Sequence, residues 1–121
     1  MHQASKAYGK VANVTANPRE LEASLLLKAA AQLQTIHDTW AQSGSKLNEA
    51  LVFNRKLWSI FMACVVENDH PLPPAVRQNI ANIGVFVMNE TLSLMSEPRA
   101  EKLGSLIDIN REIASGLMGR G

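Results

Sequence analysis

Three histidines, His2, His37 and His70, and one cysteine, Cys64, are the side chains best suited to metal or nucleophilic chemistry. A zinc site needs three or four ligands at spacings that let them converge. No two of these histidines stand in an H-x-x-x-H arrangement, and Cys64 has no CxxC partner. His37 lies a turn from Leu33 and Trp40 and reads as a helix-surface histidine, and His70 sits in a proline-rich turn and reads as solvated. A Cys-His nucleophile pair would draw on Cys64 with His37 or His70. Cys64, however, stands in the apolar run Phe61-Met62-Ala63-Cys64-Val65-Val66, where burial raises a thiol pKa and makes it inert. No G-x-x-x-x-G-K-[ST], G-x-G-x-x-G or G-x-S-x-G string occurs, so nucleotide and hydrolase chemistry have no handle. The expectation is a protein that is not an enzyme and uses neither metal nor cofactor.

Polar residues on apolar stripes carry more information. Asn54 lies among Leu51, Leu57 and Trp58, and Asn110 among Ile107, Ile113 and Ala114. A buried amide without partners costs about 1–3 kcal/mol, so each must be satisfied if it is inside. Either it makes an internal hydrogen bond that sets helix register, which is the preferred reading, or it faces a groove and bonds to a partner. Arg55 and Arg111 follow these asparagines and are expected to pair on the surface with Glu90, Asp108 or Glu112. Phe53 and Trp58 are five positions apart on one helix and cannot both point fully inward. Aromatic surface is therefore expected near Phe53 or Phe86, and exposed apolar surface often marks a protein contact.

Helices must position these residues. Asn17-Pro18 reads as a helix start, with Glu20 and Glu22 in the first turn where the helix dipole favours them. Leu21, Leu25, Ala29, Leu33, Ile36 and Trp40 follow at the helical period, and Ser43-Gly44-Ser45 reads as the end of this helix and the cap of the next. A second helix, from Lys46 to Val66, carries Leu47, Leu51, Asn54, Leu57, Trp58, Phe61 and Val65 on one face. Pro71, Pro73 and Pro74 forbid its continuation. A third helix runs from Pro73 or Pro74 to Met95, with Val76, Ile80, Ile83, Val87, Thr91 and Leu94 on a stripe. Phe86, Met88 and Leu92 widen its apolar surface, and Gly84 within it points to a close helix contact. After Ser96-Glu97-Pro98 a fourth helix spans Arg99 to Ser115, with Gly116, Gly119 and Gly121 as its stop.

The expected fold is all-α: a small antiparallel bundle of about four helices spanning 17–121, preceded by a mobile N-terminal arm over 1–16 that Tyr8 anchors. A three-helix core with the first helix mobile or exchanged between subunits is the alternative. At 121 residues one domain is expected, large enough for a core without staples. Twelve Lys and Arg nearly balance eleven Asp and Glu, with the signs alternating along the chain, so the basic excess of a phosphate-gripping protein is missing. The N-terminus has no apolar run of a signal peptide, and no segment approaches the roughly 20 apolar residues that span a bilayer. A cytoplasmic location is expected.

The same residues carry a family resemblance. The N-R-x-L-W string at Asn54–Trp58, within Leu51–Phe61, is similar to the FlaF family of flagellar biosynthesis regulators. So are Asn68–Pro73, Asn79–Thr91 and the I-N-R-x-I-A-x-G-L string at Ile109–Leu117. Tyr8-Gly9 and the start Asn17-Pro18-Arg19-Glu20-Leu21-Glu22 also resemble the family pattern. The resemblance implies a cytoplasmic protein required for flagellin production. Two roles come with it. One is a flagellin-binding secretion chaperone. The other is a post-transcriptional regulator of flagellin mRNA, acting directly or through a partner regulator, FlbT. The charge balance favours the chaperone, since direct RNA contact wants a basic face. Amphipathic terminal segments of flagellin would lie in a groove between helices. Phe53, Asn54, Trp58, Phe86, Asn89, Asn110 and Arg111 are the residues expected to line or support that groove.

Overall fold

The computed structural model of the chain describes residues 18–67 and 70–119; the expected N-terminal arm, Tyr8 and the cap at Asn17 lie outside them. Four long helices make up the described residues: α1 (Pro18–Asp38), α2 (Leu47–Val65), α3 (Pro74–Ser96) and α4 (Leu103–Leu117), and no strand occurs among them. The all-α bundle is thus as the periodicity predicts. α1 makes its most extensive contact with α4, α2 pairs with α3, and α1 touches α2 more sparingly. Buried Ala23, Ala29 and Ala30 carry no long side chain to hold a neighbour away from α1. The core closes over Leu26, Leu33, Leu51, Trp58, Val65, Val87, Leu94, Leu103 and Leu106, each almost fully buried.

Helix ends depart from expectation in three places, one of them the start of α4, which begins at Leu103 and not at Arg99, after a 3-10 turn over Ala100–Lys102. The first helix stops at Asp38 and not at Ser43-Gly44-Ser45. Thr35 Oγ1 donates to the Ala31 carbonyl (3.0 Å) and Thr39 Oγ1 to the Thr35 carbonyl (2.8 Å). Such back-bonding to the preceding turn bends helices, and Thr39 leaves the helical region at φ −120°. A short helical turn, Trp40–Ser43, and a 3-10 turn, Gly44–Lys46, then lead into α2, which has no side-chain cap. At the other end Gly116 lies inside α4. Gly119 carries the left-handed φ of 75° that ends the chain's last helix, a conformation glycine adopts without strain.

Two contacts tie α2 to α3. A Cβ on Gly84 would stand 2.7 Å from Met62 Cγ, so the close contact expected at Gly84 is made with this side chain. Arg77, near the start of α3, reaches back over the proline link. Its Nη1 donates to the carbonyls of Glu67 (2.8 Å) and Val65 (3.3 Å), and its Nε to that of Leu72 (3.1 Å). One guanidinium thus satisfies carbonyls that the end of α2 leaves without intrahelical partners and holds the turn shut.

Candidate functional site

Trp58, Asn110 and Asn54 form a chain of hydrogen bonds in the centre of the bundle, all three with no exposed surface. The indole Nε1–H of Trp58 donates to Asn110 Oδ1 (2.7 Å), and Asn110 Nδ2 donates to Asn54 Oδ1 (2.7 Å). An indole nitrogen can only donate, so Asn110 must turn its oxygen toward Trp58 and its amino group toward Asn54. Asn54 then has to accept, and its own Nδ2 is left without a partner among the described residues. The chain links α2 to α4 and fixes their register. The internal reading of the two asparagines holds, and Asn54, Trp58 and Asn110 support the bundle from inside without lining a surface. Trp58 also meets Phe61 edge-on, with ring centroids 5.4 Å apart.

The other four candidates lie on the outside, on three different parts of the molecule. Phe53 is half-buried between α1 and α2, with Lys28 Nζ 5.5 Å from its ring centroid. Phe86 and Asn89 are exposed on α3. Arg111 is exposed on α4 and donates to Gln34 Oε1 of α1 (3.2 Å), not to the acidic neighbours expected for it. The structure does not bring Phe53, Phe86 and Arg111 to one groove.

It does open a groove along the α1–α2 seam. One depression of about 370 Å³ is lined by Gln32, Thr35 and Ile36 of α1, by Glu49, Ala50 and Phe53 of α2, and by Lys46 before it. A second, of about 70 Å³, lies further along the same two helices between Leu25, Leu26, Leu57, Ile60, Phe61, Cys64 and Glu22. On α2 the residues Phe53, Leu57, Ile60 and Cys64 fall at helical spacing along the edge of the seam. Leu25, Leu57 and Ile60 were not singled out as site residues from the sequence. Leu25 and Leu57 stand on the stripes expected to face the core and are only half-buried, whereas Ile60, 58% exposed, is an apolar residue beside an already filled stripe.

The far end of the seam is acidic and closed. Glu22 is buried, and burial pushes its carboxyl above the ordinary range while Arg19 draws it back. His70 is not solvated as expected: its side chain is 8% exposed, with Nε2 3.9 Å from Glu22 Oε2. Its Nδ1 accepts a hydrogen bond from the Leu72 backbone N–H (3.3 Å). The proline turn therefore folds onto α1. Burial, and then the charges of Glu22 and Glu67, push the Cys64 thiol up, so at neutral pH it stays protonated and is a poor nucleophile. Glu67 and His70 stand at E-x-x-H spacing, yet on a turn, and no three His, Cys, Asp or Glu side chains gather to hold a metal among the described residues. No helix of the described residues is long and apolar enough to cross a membrane.

The family model of the flagellar protein FlaF matches residues 4–117. The chain belongs to the FlaF family. The match spans all four helices and takes in the buried Trp58–Asn110–Asn54 chain, so within this FlaF protein the residues that carried the resemblance include its structural centre. No curated protein and no solved structure matches the chain.

Proposed function

We propose that this FlaF-family protein is a cytoplasmic flagellin-binding secretion chaperone that holds a terminal helical segment of flagellin along its α1–α2 seam and performs no chemistry on it. The observation that carries this reading is the pair of depressions on one seam, with Phe53, Leu57, Ile60 and Leu25 presenting apolar surface between them. From Glu49 to Cys64 the seam runs roughly 22 Å, about four turns of a docked helix. An amphipathic segment places its apolar stripe in such a groove, and the charges of Lys28, Lys46 and Glu49 at the rim meet its polar side. Part of the contact energy goes into ordering the segment, which keeps the complex reversible and suits handover to an export machine. Control of flagellin synthesis then follows through flagellin itself or through FlbT, without contact with RNA.

Isothermal titration with flagellin, intact and lacking either terminal segment, tests this. The expected result is saturable binding near one to one that disappears with one terminus. Ile60→Asp and Phe53→Ala should weaken it about 30-fold or more while helicity and Tm hold, as expected where a central apolar contact is removed. Absence of binding to every form of flagellin overturns the chaperone reading in favour of FlbT or flagellin mRNA. RNA contact would show as affinity that falls steeply with salt.

A further inference from the structure

α3 is apolar on two opposite sides. Ile80, Val87 and Leu94 face the core and are buried. Across the helix from them, Asn82, Val85, Asn89 and Leu92 are all exposed, Val85 at 54% and Leu92 at 51%. These four recur at intervals of three, four and three residues, and Gln78 and Ser96 extend the series by four at either end. That is a heptad seam, with asparagine at both first-type positions and an aliphatic residue at the positions between. Phe86, 46% exposed, flanks it. The exposed side chains of α1, α2 and α4 include Lys28, Asp38, Arg55, Lys56, Asp108 and Glu112, as a solvated helix face should. From Gln78 to Ser96 the exposed residues of α3 include no charge at all.

We propose that this face binds a second copy of the same chain, α3 packing parallel to α3 about a twofold axis. Three features select a copy over another partner. The seam itself carries no charge, so it offers little to a charged partner and does not repel itself; one cation, Lys102, is held at its edge, with Nζ donating to Ser93 Oγ (3.3 Å). An in-register parallel pair sets Asn82 against Asn82 and Asn89 against Asn89, and an amide is its own complement, since each supplies both a donor and an acceptor. Asn82 Oδ1 accepts from Gln78 Nε2 of its own helix (3.0 Å) and keeps a second lone pair and its Nδ2 for the copy. Asparagine at such seam positions sets register and a two-stranded state while weakening the pair. The same residue on both copies is what a twofold interface requires. Val85 and Leu92 fill the layers between. The interface is small, so the dimer is a weak one that forms at high local concentration. It leaves the α1–α2 seam open, so it stands apart from the flagellin reading.

Sedimentation velocity of the full chain from low micromolar to several hundred micromolar tests the proposal. The mass should double with concentration. Val85→Glu with Leu92→Glu should abolish the doubling, and circular dichroism should be unchanged because both side chains point to solvent. Parallel register is read by Asn89→Cys in a Cys64→Ala background. The engineered thiols should cross-link copy to copy under mild oxidation, and Ser59→Cys, at an exposed position on α2, should not in the same background. A chain that stays monomeric throughout, or a dimer indifferent to the two glutamates, overturns the proposal. So does a dimer in which Asn89→Cys fails to cross-link. If the protein is monomeric and the glutamates instead abolish flagellin binding, the face belongs to flagellin and self-association is refuted.

Discussion

Asn54 and Asn110 lie at the centre of the bundle with no exposed surface, and Asn82 and Asn89 stand among aliphatic residues on the outside of α3. In sequence the two pairs look alike: an amide on a helical stripe beside Leu, Ile or Val. Inside, the amides are tied to each other and to the Trp58 indole, and water cannot replace a lost partner. Outside, Asn82 Oδ1 accepts from Gln78 Nε2 one turn earlier (3.0 Å) and water reaches the rest of both amides, so they join no two helices of one chain. The first pair is therefore a matter of stability and the second a matter of recognition. The exposed apolar residues of α3 add nothing to the core of one chain, and Asn54 and Asn110 have no need of a partner to explain them.

The contrast is most easily broken at Asn110, which serves two neighbours. Asn110→Leu leaves the Trp58 N–H and the whole Asn54 amide unpaired in a dry core. The expected loss is about 3–4 kcal/mol by denaturant titration. Tm should fall by more than about 10 °C in a domain of this size. Retention of wild-type stability would mean that the amides are not the lock they look like.

Asn54→Leu should cost less, about 1–2 kcal/mol. It strands one Asn110 donor but also removes the Asn54 Nδ2 that already lacks a partner, so the two effects partly offset. Equal losses at Asn54 and Asn110 would show that the orphan donor finds a partner in solution.

Glu22 extends the comparison to a buried charge. Its folded-state carboxyl is raised by burial, against the pull of Arg19, with His70 beside it. The folded chain therefore keeps a proton at pH values where the unfolded chain has lost it, and this contribution to stability falls as pH rises above the ordinary value of 4.5. Glu22→Gln should be the more stable protein near neutral pH, by less than the Asn110 effect. The gap should close as pH falls toward 4.5, in denaturant titrations over a pH series. A gap that does not depend on pH would assign the effect to packing.

The smallest effect is expected outside. Asn89→Ala should change the stability of the monomer by no more than about 0.5 kcal/mol, and upward, since alanine is the better helix former. A loss comparable to that at Asn54, measured at dilute concentration, would erase the distinction between the two pairs.

The sequence alone determined that there are four helices and where three of them lie, but not the break after Asp38. Period and proline act within a few residues, so no helix could run through Pro71 to Pro74, and Pro74 could open α3; α2 itself already stops at Val65. The sequence also determined that Phe53 and Trp58 cannot both turn inward, because five positions on a helix point in different directions; the structure shows Trp58 as the buried one. Tertiary structure decided the rest. The stripe of Ile80, Val87 and Leu94 was legible from the period, but only the packing of the other helices left Val76 of that stripe exposed and left Val85, Phe86 and Leu92 without cover. His70 reads as solvated in its turn, yet the turn folds onto Glu22, which lies 48 positions away in the chain and is invisible to any local pattern. Arg77 has no sequence signal for its grip on Val65, Glu67 and Leu72, since carbonyls carry no side-chain identity. The pairing of Asn54 with Asn110 joins residues 56 positions apart. Local chemistry says only that each must be satisfied; the approach of two helices decides by whom.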